Sequence, residues 1–309
     1  MVASDLEKYQ EFVRQQAKVV GSFDIDPDTL LWHYTNGAGL LGILGTGTIF
    51  STQVSCLNDS TEIRYAQVLF QKALTEVLSK YNGDDSVKTF VTRYLKLIEE
   101  VSRVPSHAPS PFFVACFSRE EDSLSQWRAY CGGENGYAIE FKAKNLFGLP
   151  NLLVKVNYDK ALHEKIAGEV AEATVRFYEE GLVGGNADQI AGWENEFLAA
   201  WDSRISYLAP LVKDPGFSAE NEYRVLHEFT TADLIQMAVL QKKTMMTRHI
   251  PLSFPLGGEA WVPRLPIEKV MVGPCRHPAI TGISVDTMLR KMGYGSGKVV
   301  HSARPLQET

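Results

Sequence analysis

The stretch Leu31-Trp32-His33-Tyr34-Thr35 decides how this chain is read. Its residues are apolar, aromatic or β-branched, which fits a strand, and it delivers one histidine close to a turn. A glycine-studded segment follows, Gly37-Ala38-Gly39-Leu40-Leu41-Gly42-Ile43-Leu44, then Gly45 and Gly47. Each glycine weakens a helix by about 1 kcal/mol relative to alanine, so this density predicts close backbone approach to a neighbour or a ligand. About two hundred residues later, Asn221-Glu222-Tyr223-Arg224-Val225 reads as a second strand with a carboxylate at its start. Strand alternation puts Glu220, Glu222 and Arg224 on one face and Asn221, Tyr223 and Val225 on the other.

Between these two segments the pattern is mixed. Helical spacing is expected over 4–20, capped by Ser4 or Asp5, and over 61–81 after the capping run Asn58-Asp59-Ser60. Further helices are expected at 86–104, 160–182, 188–209 and 278–292. Strands are expected at 48–53, 112–117, 137–141, 152–158, 222–229, 248–253, 269–272 and 298–301. Ser123 is placed to cap a short helix carrying Trp127 and Tyr130, which at a spacing of three share a face. The fold class is α+β: one domain over 1–309 with a strand-rich core and helical insertions at about 60–105 and 160–210.

Bulk properties narrow the function classes. The 309 residues are 45% hydrophobic and 22% charged, ordinary for a globular protein. A net charge of -6 disfavours binding of long nucleic acid through a general positive field, though not a local basic groove. Cys56, Cys116, Cys131 and Cys275 lack metal-ligand or disulfide-framework spacing, so no metal is expected. No G-x-x-x-x-G-K-[ST] occurs. With no signal-peptide core and no apolar run of about 20 residues, a cytoplasmic protein without a membrane partner is expected.

Taken as wholes, the segments resemble the ADP-ribosyltransferase superfamily, nearest its diphtheria-toxin-like and poly(ADP-ribose) polymerase branch. Leu31 to Thr35 with Gly42-Ile43-Leu44 and Gly47 resembles that branch's L-W-H-G-[ST] and G-I-L-x-x-G. Ser125 to Cys131 resembles its S-x-S-A-N-Y-C helix, and Asn221 to Val225 its N-E-Y-I-V-Y strand. The chain is also similar to a bacterial family of unknown function with H-Y-T, L-N-D-x-x-E, S-x-W-x-x-Y and E-x-E-[YW]-R in that order, over most of residues 30–275.

The superfamily resemblance implies a split β-sheet core and NAD as substrate. It implies Glu222 on the ribose 2'-hydroxyl, His33 on the adenosine ribose and Tyr130 stacked on nicotinamide. It further implies Tyr34 and Thr35 backbone groups on the carboxamide, Ser125 as a hydroxyl contact and Glu220 acting on the acceptor. Tyr34 stands where the branch has glycine, and Trp127 where it has the nicotinamide-binding serine. The implied activity is mono-ADP-ribosyl transfer to RNA, DNA or protein by a bacterial toxin or antiphage effector, with an antitoxin as a possible partner. Two other readings stay open: a NAD glycohydrolase using the same residues, and a non-catalytic binding module whose segments are only core.

Overall fold

The computed structural model describes residues 2–57, 61–103, 110–131, 135–146, 152–182, 194, 207–241, 245–254 and 264–304. The expected cap run Asn58-Asp59-Ser60 and most of the expected helix 188–209 lie outside these residues. The chain divides into two compact units: 1–22, 53–112 and 156–218 in the first, and 23–52, 113–155 and 219–309 in the second. The fold is mixed α/β with a large mixed sheet.

The first unit is helical. It holds α1 (Val2–Val20), α3 (Thr61–Lys80), α4 (Asp85–Arg103) and α6 (Lys160–Leu182). Ser4 and Asp5 fall inside the first turn of α1 instead of capping it. Tyr9, Val13, Ala17 and Val20 recur at helical spacing and are buried, which makes one face of α1 apolar. The Tyr9 hydroxyl lies 2.6 Å from Thr174 Oγ1 on α6, and Phe90 of α4 stacks on Tyr178 of α6 with centroids 3.8 Å apart. No described helix is long and apolar enough to cross a membrane.

The second unit carries the sheet. Its helices are α2 (Gly37–Thr46), α5 (Leu124–Tyr130) and α7 (Pro278–Lys291). Among the described residues the strands are β1 (Leu30–Asn36), β2 (Ile49–Gln53), β3 (Phe112–Ser118), β4 (Gly136–Lys142), β5 (Leu152–Lys155), β6 (Glu222–Glu228), β7 (Ala238–Gln241), β8 (Met246–Leu252), β9 (Ile267–Val272) and β10 (Val299–His301). They run in the order β10-β9-β4-β1-β3-β2-β8-β7, with β6 joined to both β3 and β5. A strand has two edges, yet β3 has three partners (β1, β2 and β6), so two of them share one edge in succession and the sheet divides there.

Beside that division β1 pairs along its whole length with β4, from Leu30↔Lys142 to Asn36↔Gly136, and meets β3 at Trp32↔Ser118. The two faces of β1 enter different cores. Leu31 packs with Phe117, Ile139, Phe141, Tyr223 and Val225, whereas Trp32 and Tyr34 pack with Trp127, Cys131, Ala138 and Met271. Strand β7 was not expected from sequence; three of its four residues are exposed, so it shows no buried face to generate alternation.

The glycines after β1 have two identifiable uses. Gly47 ends α2 in the left-handed region (φ 66°), with its N–H on the Ile43 carbonyl 2.9 Å away. A Cβ on Gly39 would lie 2.0 Å from Thr35 Oγ1, so only glycine lets α2 start this close to β1. Asn36 caps that start by accepting from Gly39 N at 2.8 Å.

Candidate functional site

The expected site residues on β1, α5 and β6 all belong to the sheet-bearing unit, and the C-terminal end of β3 organises them. On one edge, Ser118 pairs with Trp32 of β1. On the other, the Ser118 hydroxyl donates to the Glu220 carbonyl (2.6 Å) and Arg119 N–H donates to the Asn221 carbonyl (3.1 Å). The histidine strand and the glutamate strand therefore flank β3, two inter-strand spacings or about 10 Å apart in backbone.

Glu222 opens β6 and is buried with Arg224, two residues on and on the same face. Arg224 Nε and Nη2 donate to the two carboxylate oxygens, both at 2.9 Å, which makes a planar fork. The shared face that alternation gives Glu222 and Arg224 is thus an interior one, and the two form a buried ion pair. Glu220 is not part of the strand: it closes a 3-10 turn, Pro215–Glu220.

His33 is half-buried and leaves β1 on the face opposite Trp32 and Tyr34. Its ring lies 5.5 Å from that of Phe117, and Nδ1–H donates to the Cys116 carbonyl at 2.9 Å. Burial lowers its pKa, opposed by that hydrogen bond, so the neutral tautomer carries its proton on Nδ1 and its acceptor lone pair on Nε2. Tyr223 and Val225 share the His33 core, so Glu222 and Arg224 project from the Tyr34 side of the sheet. The structure brings His33 and Glu222 to strands on either side of β3 but sends their side chains to opposite faces.

Tyr34 has a definite task. Its ring packs edge-on against Trp127, with centroids 4.7 Å apart. Its hydroxyl donates to the Glu120 and Glu121 carbonyls (2.6 and 2.9 Å) and accepts from Ser123 N–H (3.2 Å). Burial raises its pKa, so it stays a donor across ordinary pH. The tyrosine that stands where the resembled branch has glycine ties the loop after β3 to β1. Thr35 is half-buried with its hydroxyl against Gly39.

Helix α5 follows that loop. Ser123 occupies its N-cap without a side-chain cap bond; its hydroxyl instead lies 2.8 Å from that of exposed Ser125. Trp127 and Tyr130 share a helical face but not an environment: Trp127 is 5% exposed, and Tyr130, the last residue of α5, is 38% exposed. Trp127 is set by packing, since a Cβ on Gly136 or Gly273 would come within 3.0–3.1 Å of its indole, and by Nε1–H donating to Asp122 Oδ1 at 2.7 Å.

Asp122 was missed in the sequence, although it is the hub of this loop. Besides the Trp127 indole it accepts from the Ser302 hydroxyl (2.7 Å) and Ala303 N–H (2.9 Å), and its carbonyl accepts from Arg304 Nε (2.9 Å). Its partners lie five and about 180 residues away, beyond any local pattern. Glu140 was also missed. It is a buried carboxylate on the same face, directly opposite Trp32 on β4 and opposite Lys269 on β9.

Residues 126–225 match the model of a family described as Protein of unknown function (DUF2971). The match supports membership of a family of unknown function. It runs from Gln126 on α5 to Val225 on β6, so it contains Tyr130, Glu220 and Glu222 and leaves out His33. No curated protein and no solved structure matches the chain.

Proposed function

We propose that the sheet-bearing unit is a NAD-dependent mono-ADP-ribosyltransferase acting on a macromolecular acceptor, as a toxin or antiphage effector would. The observation that carries this reading is the convergence at the end of β3 of the histidine strand, the tyrosine helix and the carboxylate that opens β6. Breaking the nicotinamide–ribose bond builds oxocarbenium charge on the anomeric carbon, as glycoside cleavage does. A carboxylate on the ribose 2'-hydroxyl stabilises that charge more in the transition state than in the substrate. Glu222 would supply it. Its fork to Arg224 fixes its direction, and a carboxylate oxygen accepts two hydrogen bonds, so a guanidinium partner does not preclude a hydroxyl.

The other residues of this chain bind and orient. His33 would use Nε2 as acceptor for an adenosine-ribose hydroxyl, since Nδ1–H is committed to Cys116. NAD is an extended dinucleotide with two riboses separated by a pyrophosphate. His33 and Glu222 therefore need not share a face, and the sheet divides at the strand between theirs. Exposed Tyr130 would stack on nicotinamide, worth about 1 kcal/mol beyond burial, with Ser125 near the start of α5 as a hydroxyl contact. Backbone groups of Tyr34 and Thr35 would hold the carboxamide, and Glu220 would orient the acceptor.

The test is incubation of the protein with NAD labelled in its adenylate half, in separate arms with total RNA, DNA and protein. Label is expected on one macromolecular class, and Glu222→Gln is expected to lower the rate about 10²–10³-fold with the fold retained. Free ADP-ribose as the sole product in every arm replaces transfer with NAD hydrolysis. No nicotinamide release at all leaves the unit a binding module.

A further inference from the structure

Among the described residues, Asn221 is the non-glycine position with a left-handed backbone, φ 42°. It sits between the 3-10 turn Pro215–Glu220 and Glu222, where β6 begins. In a regular strand successive carbonyls point to opposite edges. Here two successive carbonyls, Glu220 and Asn221, both meet the end of β3, one taking the Ser118 hydroxyl at 2.6 Å and the other Arg119 N–H at 3.1 Å. The left-handed step at Asn221 turns both carbonyls toward one strand and then releases the chain into β6. Asparagine is the side-chain-bearing residue that best tolerates this conformation, but glycine adopts it more easily.

A turn that needed only the backbone shape would be met by glycine. Asparagine adds a contact: Nδ2 donates to Glu120 Oε1 at 3.1 Å. Glu120 belongs to the loop whose carbonyls the Tyr34 hydroxyl holds. One side chain thus ties the residue before Glu222 to the loop before α5. Backbone strain next to a candidate reacting group, held in place by surrounding contacts, is the arrangement expected where the group's position matters.

We propose that Asn221 is a positioning residue for Glu222: its left-handed backbone and its hydrogen bond to Glu120 together set where the Glu222–Arg224 fork lies relative to α5. The inference rests on the ADP-ribosyltransferase reading for its catalytic consequence but not for its geometry.

The experiment measures thermal stability, kcat and KM for nicotinamide release in wild type, Asn221→Gly, Asn221→Asp, and Asn221→Asp combined with Glu120→Gln. Glycine keeps the backbone and removes the contact, so its melting temperature is expected to stay at or above wild type while kcat falls about 10- to 100-fold at near-constant KM. Aspartate tolerates the same φ but faces Glu120 with a like charge, so kcat is expected to fall; Glu120→Gln restores the bond with donor and acceptor exchanged, so kcat recovers. An Asn221→Gly variant with wild-type kcat, or a double variant without recovery, overturns the inference.

If wild type releases no nicotinamide, the ADP-ribosyltransferase reading fails by itself. Positioning is then judged by the melting-temperature shifts of Asn221→Gly, Glu222→Gln and their combination. Shifts departing from additivity by about 2 °C or more uphold it, and additive shifts overturn it.

Discussion

Two buried glutamates on one face of one sheet show how differently the same residue type can be held. Glu222 is forked by Arg224, both partners almost fully removed from solvent and both bonds at 2.9 Å. Glu140, on β4 across Trp32, meets Lys269 Nζ at 3.5 Å, and that lysine side chain is 46% exposed. A guanidinium offers a rigid planar pair of donors, whereas an ammonium on a flexible stem stays hydrated and marks only a point of charge. Burial raises the Glu140 pKa; Lys269 opposes the shift, and Glu121 and Glu268 add to it. A fixed direction suits a carboxylate that must meet one hydroxyl. The Glu140 arrangement supplies a carboxyl whose ionisation follows its surroundings.

The largest test of this contrast is removal of one partner. Glu222→Ala takes the forked carboxylate away from buried Arg224 and is expected to cost about 3–5 kcal/mol in chemical denaturation. Replacing both members with apolar residues of similar volume, Glu222→Leu with Arg224→Met, is expected to recover most of that loss while leaving no NAD cleavage. A Glu222→Ala cost below about 1 kcal/mol would show an accessible pair and remove the contrast with Glu140. Next in size is Tyr34→Phe, which takes the donor from the Glu120 and Glu121 carbonyls and the acceptor from Ser123 N–H. A loss of about 1–3 kcal/mol is expected, with added protease sensitivity between residues 119 and 123. A loss confined to stability, with NAD affinity unchanged, would separate the loop anchor from the proposed site.

The elements of this fold were legible wherever local pattern carries them. Apolar runs gave β1, β3 and β4, and helical spacing gave α3, α4 and α6, within a residue or two of their ends. Short β7 was not, because pairing with β8 and not side-chain pattern makes it a strand. The candidate site was legible in its residue types and less so in its geometry. Alternation put Glu222 and Arg224 on one face, but their burial as an interior fork depends on what covers that face. Asp122 and Glu140 act through partners distant in sequence. The left-handed backbone of Asn221 arises from holding two carbonyls on one strand end, which no local propensity encodes.

The smallest expected effect is the pH dependence of Glu140. Its folded pKa lies above the ordinary glutamate value, about 4.3, so the native state holds its proton to higher pH than the unfolded chain does. Where the native state binds more protons, stability falls as pH rises. Glu140→Gln keeps the shape and removes the titration. Below about pH 3 the two proteins should differ by a constant amount, since the carboxyl is then protonated folded and unfolded. As pH climbs above about 4.3 the wild type should lose stability relative to the variant, and the difference should level off above the raised pKa. Urea midpoints of both proteins from about pH 3 to 8 measure this, with a small relative loss because half-exposed Lys269 returns part of the cost. A wild type that gains on Glu140→Gln as pH rises would mean that Lys269 outweighs burial at Glu140.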